Sequence, residues 1–531
     1  MINYYQKISK VPLMIMTDTE SGPGIRLSGI EKFPCRLTLG ALENDSLIYE
    51  MGKAVAGQFK RAGVNINLAA PAAGSKDHPG NSVINFRPSG ENPGRAADIE
   101  TMYLKGLQEN GIMSIKGITD FAVAEETEVS GQGTEIGILK YINQPEKTIT
   151  SIDGKSETKK PSPEMIDEMC RKVLAAKYWS GLNRIQKIDT ENISEEIMSP
   201  SAKALVRDLY ASSLTLLKNE DNILPLRNLD IVRIAVLSIG KNSVDRFQER
   251  AGDYTKISAF RVDPADHEQA DRILDTLSHY DIVLAGIYDN GGQSGQSRAG
   301  SGTDGHLPVF LEKLVSSNKT VAAYFGDPRE LKSLEALQKA DGLIVAYEEN
   351  DYTEDLSAQL IFGGTGAAGT LPVTINDRWQ AGFGLKTTGR QRLQYGFPEN
   401  AGLSSALLHA RIDSLAETGL AAQAYPGCEV IVARKGVVVF PKTYGYQTYD
   451  KRVAMEKGDL FDLASVTKIS SSLPGLMILE TEGRFSTDAL LGDYIPEFRH
   501  SDKGGLLMKD LLAHQAGLTP SIVPWRKTVK K

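Results

Sequence analysis

Two kinds of apolar pattern alternate along this chain. Residues 11–18, VPLMIMTD, are short, apolar and end in a carboxylate. That predicts a buried parallel strand with a polar residue at its C-terminal end. Over 46–62 the residues Leu47, Met51, Val55 and Phe59 recur at helical spacing, and GVNINLAAPA at 63–72 reads as the next strand. A loop rich in Gly, Pro and Asn follows, then a helix near 95–110. Strand, helix, strand, helix is an α/β signature, in a barrel or an open sheet.

From 114 to 162 the periodicity weakens, and 125–135 and 143–163 are polar. Pro163-Glu164 opens a helix carrying Ile166, Met169, Val173 and Leu174 and ending near Tyr178-Trp179. A linker over 183–203 leads to a second helix and to SLTLLKNEDNILPL at 213–226. Four apolar runs come next: IVRIAVLSIG (231–240), YDIVLAGIYD (280–289), KTVAAYFGD (319–327) and GLIVAYEEN (342–350). Helical segments separate them, which predicts an open, mostly parallel sheet covered on both faces by helices, an αβα sandwich. The Gly/Ser-rich stretch 290–305 follows the second run, where strand ends of such sheets face ligand crevices. It matches no phosphate-binding pattern, so a surface loop is the plainer reading.

Past a basic, Gly-containing linker at 384–396, ARIDSLAETGLAA is an amphipathic helix. GCEVIVARKGVVVF reads as a hairpin turning at Arg434-Lys435-Gly436. A strand-like FDLAS then runs into a helix at 466–482.

At 531 residues the chain is too long for one core, and two to four domains are expected. Its 41% hydrophobic and 24% charged residues are those of a globular protein. A net charge of -7, spread along the chain, gives no nucleic-acid footprint. No apolar run is long enough to span a membrane. MINYYQKISKVPLMIMTD lacks the order of a signal peptide, so the sequence as given reads as cytoplasmic. Cys35, Cys170 and Cys428 are far apart and form no CxxC, and the histidines form no HExxH, so neither a disulfide framework nor a metal site nor a cofactor is expected.

The strongest chemical motif is Ser465-Val466-Thr467-Lys468, an SxxK tetrad. A serine hydroxyl is a poor nucleophile and needs a nearby base. One helical turn brings a Lys three residues on over the same face, so its amine reaches the serine oxygen. The same spacing occurs at Ser156–Lys159, Ser238–Lys241 and Ser316–Lys319, but only at Ser465 does a strand-like run lead in and a long apolar helix follow. The plainer alternative makes SVTK the first turn of a structural helix.

PGCEVIVARKGVVVF, TYGYQTYD, FDLASVTK, LLGDYIPEF and LLAHQAGL resemble, in order and spacing, the opening third of serine β-lactamases and penicillin-binding esterases. The resemblance implies Ser465 as acylated nucleophile and Lys468 as its base partner. It also implies, downstream of the tetrad, a Tyr-x-Asn or Ser-x-Asn element and a Lys-Thr-Gly-like strand. Neither follows Lys468, since Tyr494 precedes Ile-Pro and Lys527-Thr528 precedes Val. A truncated domain is therefore expected.

The front half has its own likeness. Met16-Thr17-Asp18-Thr19-Glu20, Gly24-Ile25-Arg26-Leu27, Phe33-Pro34, Leu39-Gly40-Ala41, GVNINLAAPAA, VINFRPSGENP and AAKYWSGLN resemble barrel segments of glycoside hydrolase family 3, in the β-N-acetylhexosaminidase branch fused to β-lactamase-like domains. LTLLKNEDNILPL and FGGTGAAGTLPVTI resemble the opening and close of that family's sandwich domain. The resemblance implies Asp18 as the holder of sugar hydroxyls, with Arg26 and Arg87 shaping the subsite. A strand-end cap for Asp18 and surface ion pairs for the arginines are the plainer alternatives.

Retaining glycosidases need an acid/base group and a carboxylate nucleophile about 5 Å apart. In this branch these come from a Lys-His-Phe-Pro-Gly-His-Gly loop and a Thr-Asp-Ala-like strand end, and neither string occurs in the barrel segment, 1–190: GLQENGIMS passes straight to IKGITD. Glycosidase nucleophile and acid/base are thus not found, and Asp120 lies beyond the nucleophile position. The expected architecture is α/β: a partial (β/α)8 barrel over 1–190, an αβα sandwich over 216–385, and the N-terminal part of a β-lactamase-like α+β domain over 401–531. The implied partner is a carbohydrate, either a glycan containing N-acetylglucosamine or a peptidoglycan fragment. The family implies a periplasmic or cell-envelope place. Three readings stay open: a β-N-acetylhexosaminidase with an attached serine hydrolase, a catalytically dead glycan-binding module, and a gene fragment without function.

Overall fold

In the computed structural model, the described residues are 1–17, 19, 22–25, 30–69, 89–116, 163–184, 187–241, 245–288 and 305–519. The chain divides into two compact units, Met1–Val453 and Ala454–Lys531.

Within the first unit, β1 (Met16–Thr17), β2 (Ile66–Ala69) and β3 (Met113–Lys116) form a parallel sheet in that order. Helices α1 (Asp45–Ala62) and α2 (Pro93–Glu109) link them. Each helix begins at an asparagine whose side chain accepts a backbone N–H: Asn44 from Ser46, and Asn92 from Arg95, with Pro93 at the first turn where its missing N–H does no harm. α1 ends at Gly63, in the left-handed region (φ 78°). Of the apolar stripe read at Leu47, Met51, Val55 and Phe59, the last three are fully buried and Leu47 is half-buried, with Ile48 taking the buried place beside it. The expected partial barrel is represented among the described residues by these three strands. The first of them is shorter than the 11–18 run suggested, because residues 12–15 form no ladder there.

α1 and α2 cross at glycines. A Cβ on Gly52 would lie 2.3 Å from the Tyr103 carbonyl oxygen, and one on Gly106 2.3 Å from that of Tyr49. Backbone cannot yield as a side-chain tip can. Gly52→Ala should therefore destabilise the protein by about 1–3 kcal/mol, the usual cost of overpacking, despite the ~1 kcal/mol that Ala gains over Gly in a helix. Urea denaturation measures this, and an unchanged or raised midpoint would refute the close crossing.

The second sheet has six strands, ordered β4-β9-β8-β7-β5-β6. They are β4 (Thr215–Asn219), β5 (Ile234–Ile239), β6 (Ile257–Val262), β7 (Ile282–Tyr288), β8 (Thr320–Phe325) and β9 (Gly342–Val345). β4 runs antiparallel to β9, and the rest are parallel. β5, β7, β8 and β9 are buried at every position, which is why each reads as a mainly apolar run, with Ser238 in β5 and Thr320 in β8 the polar members. Alternate residues enter two cores. Val236, Leu284, Ala323 and Ile344 pack with Phe247 and Ala251 of α3 (Arg246–Gly252) and Leu356 and Ile361 of α6 (Asp351–Phe362). Ala235, Leu237, Val283 and Val345 pack with Leu277 of α4 (His267–Leu277) and Phe310 and Leu314 of α5 (His306–Ser317). This is the expected αβα sandwich, and its first core runs on continuously into α1 and α2.

A third sheet, β10 (Gln394–Tyr395), β12 (Val437–Gly445) and β11 (Gly427–Arg434), contains the expected hairpin. Its two-residue turn has positive φ at Lys435 (53°) and Gly436 (78°), the mirror-image turn that suits strand twist.

Candidate functional site

In the unit Ala454–Lys531, the stretch FDLASVTK is not a strand. Residues 459–463 carry no ladder, and Ala464–Val466 form one turn of 3-10 helix. The expected continuous helix at 466–482 is also divided: Lys468–Ser472 widen into a π turn before α7 (Leu473–Thr481). Pro474, in the first turn of α7, gives the reason. It has no N–H to donate, and its ring crowds the carbonyl four residues back, so the preceding turn opens.

This interrupted helix still brings the predicted pair together. Lys468 Nζ lies 3.0 Å from Ser465 Oγ and donates to it. Both residues are exposed, and among the described residues no other side chain is hydrogen-bonded to Ser465. Ala464 stands in the left-handed region at φ 42°, and its N–H is accepted by Asp462 Oδ1 at 2.8 Å. The pair places an amine where it can take the serine proton as Oγ attacks an acyl or phosphoryl centre. Asp18, Arg26 and Arg87 lie outside the described residues, as do Asp120 and all of the Gly/Ser-rich stretch 290–305 but Gly305.

Sequence reading missed a polar cluster at the sandwich's C-terminal strand ends. The chain leaves β5 for β6 on one side and returns to β7 on the other, so the strand order reverses there. Asp245 accepts the Tyr288 hydroxyl at 2.9 Å and the hydroxyl of Ser238. Lys241 sits 4.7 Å above the Tyr288 ring, bonds Glu354, and lies 3.4 Å from Glu349. Burial opposes the Lys241 charge, but Glu354 and Glu349 outweigh it and raise its pKa. These groups satisfy one another, so they fix the strand ends. The Asp at 245, seven residues past Ser238, was the available signal.

A cavity of about 360 Å³ lies where Gly40, Ser89 and Pro372 meet. Its charged groups are engaged, Arg95 with Asp45 and the Leu42 carbonyl, and Glu43 with Lys386. All three cysteines are free thiols. Burial, then the charge of Glu348, pushes the Cys35 thiol up to about 12, so it is no nucleophile. Among the described residues no three His, Cys, Asp or Glu side chains could hold a metal ion, and no helix is long and apolar enough to cross a membrane.

Three family models match the chain: the glycosyl hydrolase family 3 N-terminal domain over 2–136, the glycosyl hydrolase family 3 C-terminal domain over 214–405, and β-lactamase over 412–530. A putative β-xylosidase of Formosa agariphila is 23% identical over 241 residues, 41% of this chain and 32% of that protein. Protein flp of Staphylococcus aureus is 30% identical over 115 residues, 21% of this chain and 23% of that protein. The chain thus spans about a third and about a quarter of these relatives' lengths. A β-glucosidase of Listeria innocua, solved with isofagomine, superposes with TM-score 0.54 at 14% identity, over 70% of this chain and 67% of that one, a likeness of fold.

Proposed function

We propose, for a chain that belongs to glycosyl hydrolase family 3 and carries a β-lactamase domain behind it, a glycan-directed protein with serine acyl-transfer chemistry at Ser465. The observation that carries this reading is Lys468 Nζ at 3.0 Å from Ser465 Oγ. The family 3 frame supplies the carbohydrate side. Its parent reaction is removal of terminal β-linked N-acetylglucosamine from a glycan or peptidoglycan fragment, with Asp18 holding sugar hydroxyls and Arg26 and Arg87 shaping the subsite. A carboxylate accepts paired hydroxyls well, and barrel sites lie at strand C-terminal ends. Peptidoglycan offers both chemistries, one on its sugars and one on its peptides.

A second reading is favoured by the sequence itself: the frame binds glycan without cleaving it. Residues 1–190 contain neither the Lys-His-Phe-Pro-Gly-His-Gly loop nor the Thr-Asp-Ala strand end. A general acid/base group alone gives about 10²–10⁴-fold. Nitrophenyl β-N-acetylglucosaminide should therefore be released far more slowly than the ~10 s⁻¹ median of enzymes, while N-acetylglucosamine should raise the melting temperature. Release near that median would overturn the binding-only reading. No thermal shift with any amino sugar would remove the glycan assignment.

A further inference from the structure

We propose that Asp462 is a positioning residue for Ser465: its carboxylate holds Ala464 in the left-handed conformation that turns the serine hydroxyl onto Lys468. The inference rests on the reading of Ser465 as the acylated group.

Ala464 has φ 42°, a region that suits glycine and crowds the Cβ of any L-residue. Such a conformation persists only where its surroundings over-determine it. Packing is not what holds it here, since every residue from 460 to 475 is exposed. Local hydrogen bonds remain. Asp462 Oδ1 accepts the Ala464 N–H at 2.8 Å, a side chain bonding backbone two residues on. On the far side the Thr467 N–H reaches the carbonyls of Ala464 and Ser465, and the Val466 N–H reaches that of Leu463 at 2.9 Å. Those backbone bonds form in any 3-10 turn. The Asp462 bond is the side-chain contribution specific to this sequence, and it is made at the residue that carries the strain.

The direction of the effect follows. If Ala464 relaxes to negative φ, the chain direction entering Ser465 rotates. Oγ then loses its place 3.0 Å from Lys468 Nζ, while the residues on both sides keep their identities. Asp462 touches neither the hydroxyl nor the amine in this arrangement, so it acts through the backbone.

Asparagine offers the same acceptor oxygen without the charge. Glycine at 464 takes positive φ without crowding. These two facts define the experiment, run on the full chain with a fluorophosphonate probe. Asp462→Ala should slow labelling of Ser465 by about 5–30-fold, the effect of losing one or two hydrogen-bond equivalents of orientation. Asp462→Asn should label at close to the wild-type rate. The double variant Asp462→Ala/Ala464→Gly should recover most of the loss. Hydrogen exchange at the Ala464 amide gives a reading independent of chemistry: protection should be present in wild type and Asp462→Asn and gone in Asp462→Ala.

Wild-type labelling and unchanged amide protection in Asp462→Ala would each overturn the proposal. So would an Asn variant as slow as the Ala variant, which would assign the effect to charge. If wild type takes no label, or Ser465→Ala takes it equally, the Ser465 reading falls and this inference falls with it. If the label is specific to Ser465 and only the Asp462 variants fail to respond, the inference alone falls.

Discussion

Replacing Asp355 with alanine should cost about 3–5 kcal/mol, the largest stability effect of any single substitution considered for this chain. Asp355 Oδ2 accepts Arg207 Nη1 at 2.6 Å and Gln359 Nε2 at 2.7 Å, and its Oδ1 accepts Arg250 Nε at 2.5 Å. Arg250 also bonds Asp253 at 2.5 Å and lies 3.9 Å from the Tyr395 ring centre. The three side chains Asp355, Arg207 and Arg250 are 5%, 6% and 9% exposed. A pair made in such surroundings adds little net stability, because both charges are desolvated. Breaking it is another matter: alanine leaves two guanidinium groups buried against one remaining carboxylate. The cluster joins the helix Pro200–Ser213, α3, α6 and β10, so its loss is felt across the sandwich.

The same residue sets a pH dependence. Burial pushes the Asp355 carboxyl up, but Arg207 and Arg250 together outweigh burial and hold it below the usual carboxylate range. A depressed folded value means stability that is present above the unfolded value, about 3.9 for Asp, and lost as pH falls through the folded one. Wild type should therefore lose stability below about pH 4 more steeply than Asp355→Asn, which cannot titrate there. Urea midpoints at pH 7 and pH 3 measure both effects. A deficit under about 1 kcal/mol for the alanine variant at pH 7 would show that the two arginines find water or other partners.

Much of the sandwich was legible because burial on both faces makes a strand apolar at nearly every position. β5, β7, β8 and β9 each occupy one of the four apolar runs. The edge strand β6, ISAFRV, was not legible. Open on one side, it mixes Ser258 and Arg261 with Ile257 and Phe260, and no continuous run marks it. β4 lay within a stretch recognised as a motif and not as a strand; its antiparallel direction follows from a chain that enters from the opposite end. The Arg207–Asp355–Arg250 cluster joins residues more than a hundred apart, which no local pattern can encode. At the serine, the spacing suggested the pairing with Lys468, and the apolar helix behind it set this tetrad apart from three others of the same spacing. The π turn was legible in principle from Pro474. The left-handed Ala464 was not, since positive φ is uncommon outside glycine and favours Asn, Asp and His among the rest.

Ser465→Ala should abolish covalent labelling by fluorophosphonate or penicillin probes, and Lys468→Ala should slow it by about 10²–10⁴-fold, the usual contribution of a proton acceptor. In the labelling step Oγ forms a bond to the electrophilic phosphorus or carbonyl carbon. Its proton passes to Lys468 Nζ, 3.0 Å away, acting as base, as fluoride leaves or the lactam C–N bond opens. Only the serine supplies the new bond, so its loss is absolute, whereas water can replace the amine poorly. The wild-type rate should itself be low. Both groups are exposed, and a proton transfer in high dielectric gains little from a fixed charge nearby. Removal of the acyl group needs a positioned water and a second base, and among the described residues Lys468 is the one side chain bonded to Ser465. The label should therefore persist, giving one equivalent of bound penicillin and no appreciable β-lactam turnover. Equal labelling of wild type and Ser465→Ala, read by intact mass, would leave SVTK as the opening of a structural helix. Multiple turnover of a chromogenic cephalosporin, lost in Ser465→Ala, would show instead that a deacylating group stands close to this serine.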